Sequence, residues 1–161
     1  MTGPTHLATG ILLAASLTND PKGMAVGMVA SLLPDIDEPG SMLSRKIPLI
    51  PYIIGLMGHR TITHSLLGLS IFSGFLFVYA KELLLVGVVA YLSHIVLDTL
   101  TPAGVPWLWP FGKNYSLNLF KTGGINEAIY LVLLFAAGAV WGPALFKPYA
   151  AYLAGLRRIF Y

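Results

Sequence analysis

Six apolar stretches occupy most of this chain: residues 7–17, 24–33, 47–57, 66–80, 83–97 and 128–146. Asn19-Asp20-Pro21-Lys22-Gly23 is a turn signal between the first two, and Lys81-Glu82 divides the fourth from the fifth. Leu, Ala and Gly dominate these stretches and long β-branched alternation is absent, so the sequence predicts helices. The chain is 56% hydrophobic and 11% charged, with a mean hydropathy of +0.74. A soluble domain carries about 25% charged residues, so this chain lacks the polar surface to stay in water. The expectation is an all-α, polytopic, multi-pass integral membrane helical bundle in which 161 residues make one domain, 1–161.

Length limits what each stretch can do. A straight spanning helix needs about 20 residues, whereas the first two stretches supply about 11 and about 10, roughly half a bilayer at 1.5 Å per residue. They are extended by their flanks or form a re-entrant hairpin, while residues 128–146 make the cleanest span. Four or five spanning helices plus some short ones are expected. Gly10, Ala14, Gly23, Gly27 and Ala30 would let the first two helices approach closely.

Charge excludes some functions. The net charge of +3 is small and scattered, which gives no nucleic-acid stripe, and Arg157-Arg158 suits lipid headgroups. With no cysteine there are neither disulfides nor thiolate metal ligands. No basic segment precedes the first apolar stretch, so it does not read as a cleavable signal peptide.

The few ionisable residues fall at the ends of the apolar stretches. Four patches stand out: Thr5-His6, Leu33-Pro34-Asp35-Ile36-Asp37, Gly58-His59-Arg60-Thr61-Ile62-Thr63-His64-Ser65, and Ser93-His94-Ile95-Val96-Leu97-Asp98. His6 opens the first helix and Asp35 follows the second, so a hairpin returns them to one side. His59 and His64 precede the fourth stretch, after a segment (47–57, with Pro48 and Pro51) that reads as lying on the surface. The next pair of helices turns at Lys81-Glu82 and brings back His94 and Asp98. All four patches thereby share one membrane face. The basic residues do not say which: Arg45, Lys46, Arg60, Lys113 and Lys121 lie on the site side, against Lys22, Lys81, Lys147, Arg157 and Arg158.

Imidazole and carboxylate are ligands of zinc and related divalent ions. His94 and Asp98, four apart, share a helix face, where they can chelate one ion or the carboxylate can orient the imidazole. Pro34 ends a helix or fixes a turn before Asp35 and Asp37, two carboxylates that can bind one hard cation or bridge two. His59 and His64 converge if a loop leads into a helix start at Thr63 or Ser65, both good N-caps. Arg60 suits bidentate capture of phosphate or carboxylate, or else pairs with Asp35 or Asp37. Glu127 either caps the last long helix or serves as ligand or base. The segment from Thr101 to Pro110, with Trp107 and Trp109 suited to the headgroup layer, would form a lid or one wall of a lipid entrance.

On these residues the chain resembles the YdjM-like family of bacterial and archaeal inner-membrane proteins, described as membrane-bound metal-dependent hydrolases. The resemblance runs through His6 and Gly10, Leu33-Pro34-Asp35-Ile36-Asp37, Gly58-His59-Arg60, Thr63-His64-Ser65-Leu66, Tyr91-Leu92-Ser93-His94 and Asp98. It continues through Leu100-Thr101-Pro102-Ala103-Gly104-Val105-Pro106, Gly124 and Glu127. No polar motif position departs from the pattern, although the loops are short. A more distant likeness links the residue types to the helical zinc phospholipase C and P1-nuclease group.

The functional expectation joins these readings. One or two divalent ions, zinc first among them, are held by His6, Asp35, Asp37, His59, His64, His94 and Asp98. A metal-activated water attacks an ester or phosphoester of a lipid, with Arg60 holding the anionic group and Glu127 or Asp37 acting as base. The rival from another class is a metal-binding membrane protein without hydrolase activity: a transporter, a sensor, or a structural protein locked by its polar cluster. A transporter would place ligands at the bilayer midplane in broken helices, whereas these lie at helix ends.

Overall fold

The computed structural model describes residues 1–47, 49, 52–53 and 60–160, with side chains through residue 150. Five α-helices lie among the described residues: α1 (Gly3–Leu17), α2 (Pro21–Ala30), α3 (Leu66–Tyr79), α4 (Leu84–Thr99) and α5 (Ile125–Phe160). Short 3-10 turns at Leu33–Asp37, Ser44–Lys46, Ile62–His64 and Lys81–Leu83 connect them. No strand occurs among the described residues, apart from a lone antiparallel bridge between Val105 and Tyr115. His59 and most of the segment 47–57 lie outside the described residues.

Helix ends fall where local chemistry sets them. Asp20 accepts a hydrogen bond from the Lys22 amide at 3.0 Å and Pro21 opens α2, a capped start straight after the turn. Ser65 accepts from the Gly68 amide at 3.3 Å and caps α3. Of the two N-caps open to the sequence at that point, Ser65 is the one used.

Helix α4 is the hub, packing against α1, α2 and α3, while α5 packs on α1. The close α1–α2 approach depends on small residues. A Cβ on Gly27 would stand 2.5 Å from the Ala14 Cβ, and one on Gly10 would stand 2.3 Å from the Ser31 hydroxyl. Ala14, Ala30, Ala90 and Ile95 are almost wholly buried here.

Span number departs from expectation. Only two helices among the described residues are long and apolar enough to cross a membrane, Lys81–Thr99 and Ile125–Ala150, against the four or five predicted. Helices α1, α2 and α3 have 15, 10 and 14 residues, about 22, 15 and 21 Å at 1.5 Å per residue. The physical reason is placement of the breakers: Pro21, Pro34 and the polar turn before Leu66 cut the apolar stretches before they reach spanning length.

Candidate metal centre

Helix α4 supplies two side chains to the centre. His94 and Asp98 project one turn apart from its last turns, and both are fully buried. The His94 Nδ1 lies 2.8 Å from the carbonyl oxygen of Ser31. A carbonyl can only accept, so Nδ1 carries the proton and Nε2 presents its lone pair. That oxygen is available because Ser31 stands at the C-terminal end of α2, where carbonyls lack intrahelical partners.

The Leu33–Asp37 turn and the Ile62–His64 turn bring in the other two. His64 Nε2 and His94 Nε2 lie 3.4 and 3.5 Å from Asp35 Oδ1. The same two nitrogens lie 3.7 and 3.9 Å from Asp98 Oδ2. Asp35, His64, His94 and Asp98 thus offer four ligand atoms, all within 4.8 Å of one another. Zinc ligands at about 2.0–2.1 Å in a tetrahedron stand about 3.3–3.4 Å apart, close to the nitrogen–oxygen separations here. The donor set fits a divalent ion.

Electrostatics favour a cation as well. His94 Nε2 makes no hydrogen bond with any described residue, and its lone pair faces two carboxylates. Burial lowers the His64 pKa below its ordinary value, against the opposing pull of Asp35, so the ring is neutral at pH 7. Among the described residues, Arg60 and the Met1 amine both pair with Asp98. Carboxylates gathered beside imidazole nitrogens in a buried, low-dielectric setting favour a cation between them.

The remaining site residues surround this set. His6 is fully buried, stacks on the His94 ring at 3.6 Å and sets Nε2 3.2 Å from Asp98 Oδ1, beside the four-atom group but not within it. Asp37 accepts from the Arg60 amide at 2.8 Å and the Thr63 hydroxyl at 3.1 Å, which places it behind His64 as a positioning carboxylate. The Arg60 guanidinium pairs with Asp98 Oδ2 at 2.8 Å and donates to the Gly104 carbonyl at 3.3 Å. Its side-chain partner is Asp98, and Asp35 and Asp37, the two partners weighed from sequence, do not take that place. Arg60 also sits in the left-handed region with φ 55°, a strained conformation for a residue with a side chain, clamped by Asp37.

Glu127 does not reach the cluster. Its Oε1 accepts from the Thr2 amide and hydroxyl and the Thr5 hydroxyl at 2.6, 2.8 and 2.5 Å, and its Oε2 accepts from the Gly123 amide at 2.7 Å. It caps α5 and clasps the start of α1. With four donors on two oxygens, this geometry supports the capping role over that of ligand or base. The Thr101–Pro110 segment serves less as a lid than as a buttress: Gly104 holds Arg60, and Trp107 donates to Thr99 at 2.9 Å.

Sequence reasoning missed Ser31 and, for Thr63, the contacts to Asp37 and His64. Ser31 acts through its backbone carbonyl, for which only its place after α2 gives a signal. Thr63, within reach of both Asp37 and His64 Nδ1, stood in plain view among the polar residues of its patch.

Comparison with known proteins places the chain. The family model described as "YdjM inner membrane protein" matches residues 1–158. The chain belongs to the YdjM family. Among YdjM relatives it is 38% identical to "Inner membrane protein YdjM" of Escherichia coli (strain K12), over 72% of this chain and 64% of that protein. It is 34% identical to "Uncharacterized protein YvsG" of Bacillus subtilis (strain 168), over 91% of this chain and 97% of the relative. No solved structure matches this YdjM-family chain.

Proposed function

We infer that this protein is a multi-pass membrane hydrolase dependent on a divalent metal, zinc being the best fit to two imidazoles and two carboxylates, and that it cleaves an ester or phosphoester of a membrane lipid. The observation that carries the reading is the convergence of Asp35, His64, His94 and Asp98 within 4.8 Å, with His94 locked in the tautomer a metal requires. A divalent ion bound there supplies Lewis acidity, polarising a carbonyl or phosphoryl oxygen and letting water attack near neutral pH.

The chain's own residues do the rest. The cluster opens at Asp35 and Arg60, whose side chains are 17% and 16% exposed, while His6, His64, His94 and Asp98 are closed from solvent. Substrate approaches by that edge. The Arg60 guanidinium, partly exposed at that edge, supplies a fixed positive charge for an anionic oxygen of the substrate. The Asp35 carboxylate, the most accessible of the set, takes a proton from the attacking water and returns it to the leaving oxygen as the ester bond breaks, giving acid and alcohol. Asp37 and Thr63 hold Arg60 and His64 in place.

The test is lipid turnover by the purified protein reconstituted with defined phospholipids and a divalent metal, followed by mass spectrometry. Metal-dependent loss of one lipid class, stopped by a chelator and by His94→Ala, is the expected result. Full burial of His64, His94 and Asp98 favours a second reading, a membrane protein that holds metal without turnover. Stoichiometric metal with no lipid consumed would select it.

A further inference from the structure

An apolar groove of about 530 Å³ lies against α3 and α4, and the two turns that carry the candidate site form its upper wall. Ile36 lines it from between Asp35 and Asp37, and Ile62 lines it two residues before His64 and two after Arg60. From there the wall descends α3 through Gly68, Ile71 and Phe75. Phe75 stands nine residues beyond Leu66, about 13 Å along the helix axis.

Gly68 shows how the floor is made. A Cβ there would lie 2.2 Å from the Ile62 carbonyl, so only glycine lets the site-bearing turn seat on α3. Tyr91 fixes the same turn by donating to the Thr63 carbonyl at 2.5 Å, and its ring forms part of the groove. The groove therefore meets the site-bearing turns at Ile36, Ile62 and Thr63 and runs along helix surfaces whose outer residues, Ile71 and Phe75, are 57% and 58% exposed.

A polar centre whose supporting turns also wall an apolar groove matches a molecule with a polar ester head and a hydrocarbon tail. We propose that this groove holds one acyl chain of a diacyl phospholipid, with the scissile ester or phosphoester at the Asp35 and Arg60 edge. The assignment rests on the hydrolase reading for the position of the scissile bond, but chain binding itself does not. A second apolar groove of about 590 Å³, between α1 and α5, contains Pro4 and Leu7 on either side of His6. His6 is wholly buried, so that groove meets the cluster at a closed wall.

The full chain in nanodiscs containing a small fraction of phosphatidylglycerol with a diazirine at the end of one acyl chain tests the proposal. After irradiation, adducts are mapped by mass spectrometry. Phe72 and Tyr91, inside the groove, are expected to carry several-fold more label than the outward-facing Leu133 on α5. Ile71→Trp, at an exposed position that fills the groove, should lower the Phe72 and Tyr91 label about fivefold and leave bound metal and the Leu133 label unchanged. Label on Phe72 and Tyr91 no higher than on Leu133, or concentrated on Ile11 and Leu134 of the other groove, overturns the proposal. Because the readout is adducts, groove label without lipid turnover would contradict only the hydrolase reading, and turnover without groove label only this one.

Discussion

Helices α4 and α5 both read as candidate membrane spans, yet they live in opposite surroundings. The Lys81–Thr99 segment is 44% buried within the protein, and the Ile125–Ala150 segment only 6%. Hydropathy cannot tell them apart. What differs is the distribution of small and ionisable residues. Helix α4 carries Gly87, Ala90, His94 and Asp98 on the faces that meet α1, α2 and α3. Helix α5 turns Val132, Leu133, Phe135 and Val140 outward, each more than 60% exposed. A bilayer tolerates the second surface without further partners; it tolerates the first only when every polar group is enclosed and paired. In this chain, ionisable residues mark the inner helix and uninterrupted apolar ones the outer.

That contrast predicts a gradient of mutational cost. Asp98→Ala should be the most damaging, because it leaves Arg60 without its carboxylate beside three buried imidazoles. Removing one partner of a buried pair costs about 3–5 kcal/mol, to be read as lost thermal stability or lost expression. Retention of wild-type stability would mean that α4 is no more tightly integrated than α5.

Gly27→Leu comes next. With a Cβ already 2.5 Å from that of Ala14, a longer side chain must push α1 from α2, at about 1–3 kcal/mol for overpacking. Since Gly10 sits against Ser31, whose carbonyl holds His94, separation of these helices should also weaken metal binding.

Thr5→Val sharpens the comparison where the two regions meet. It removes one of four donors on Glu127 while keeping shape, and should cost about 1 kcal/mol. Measured by thermal unfolding, a loss confined to the α1–α5 contact would leave metal content unchanged. Leu133→Ala on the outer face should fall within about 0.5 kcal/mol in detergent. A larger loss there would show that α5 is covered by protein.

How much of this was legible follows from the range over which each feature is determined. The α2 start is local: Asp20 and Pro21 announce it, as Ser65 does for α3. The gathering of His6, Asp35, His64, His94 and Asp98 at one end followed from alternating helix directions alone. The α1–α2 contact could be read from Gly10, Ala14 and Gly27. Arg60 was harder, because its choice of Asp98 over Asp35 depends on a backbone turned to φ 55°, which no spacing reveals. The orienting carbonyl of Ser31 left no mark in residue type. The two long apolar helices among the described residues are fewer than the spans expected, because hydropathy continues through residues that end a helix, Pro34 chief among them.

The central claim is that Asp35, His64, His94 and Asp98 hold a divalent ion, and metal content measures it directly. The protein, purified without chelator, loaded with zinc or manganese and freed of excess, should retain about one ion per chain as expected for a single four-donor set. His94→Gln, which keeps a polar side chain of similar reach but removes the Nε2 lone pair aimed at the centre, should reduce retained metal to background while the protein still folds. Background metal in the unaltered protein, or equal retention in His94→Gln, would contradict the account.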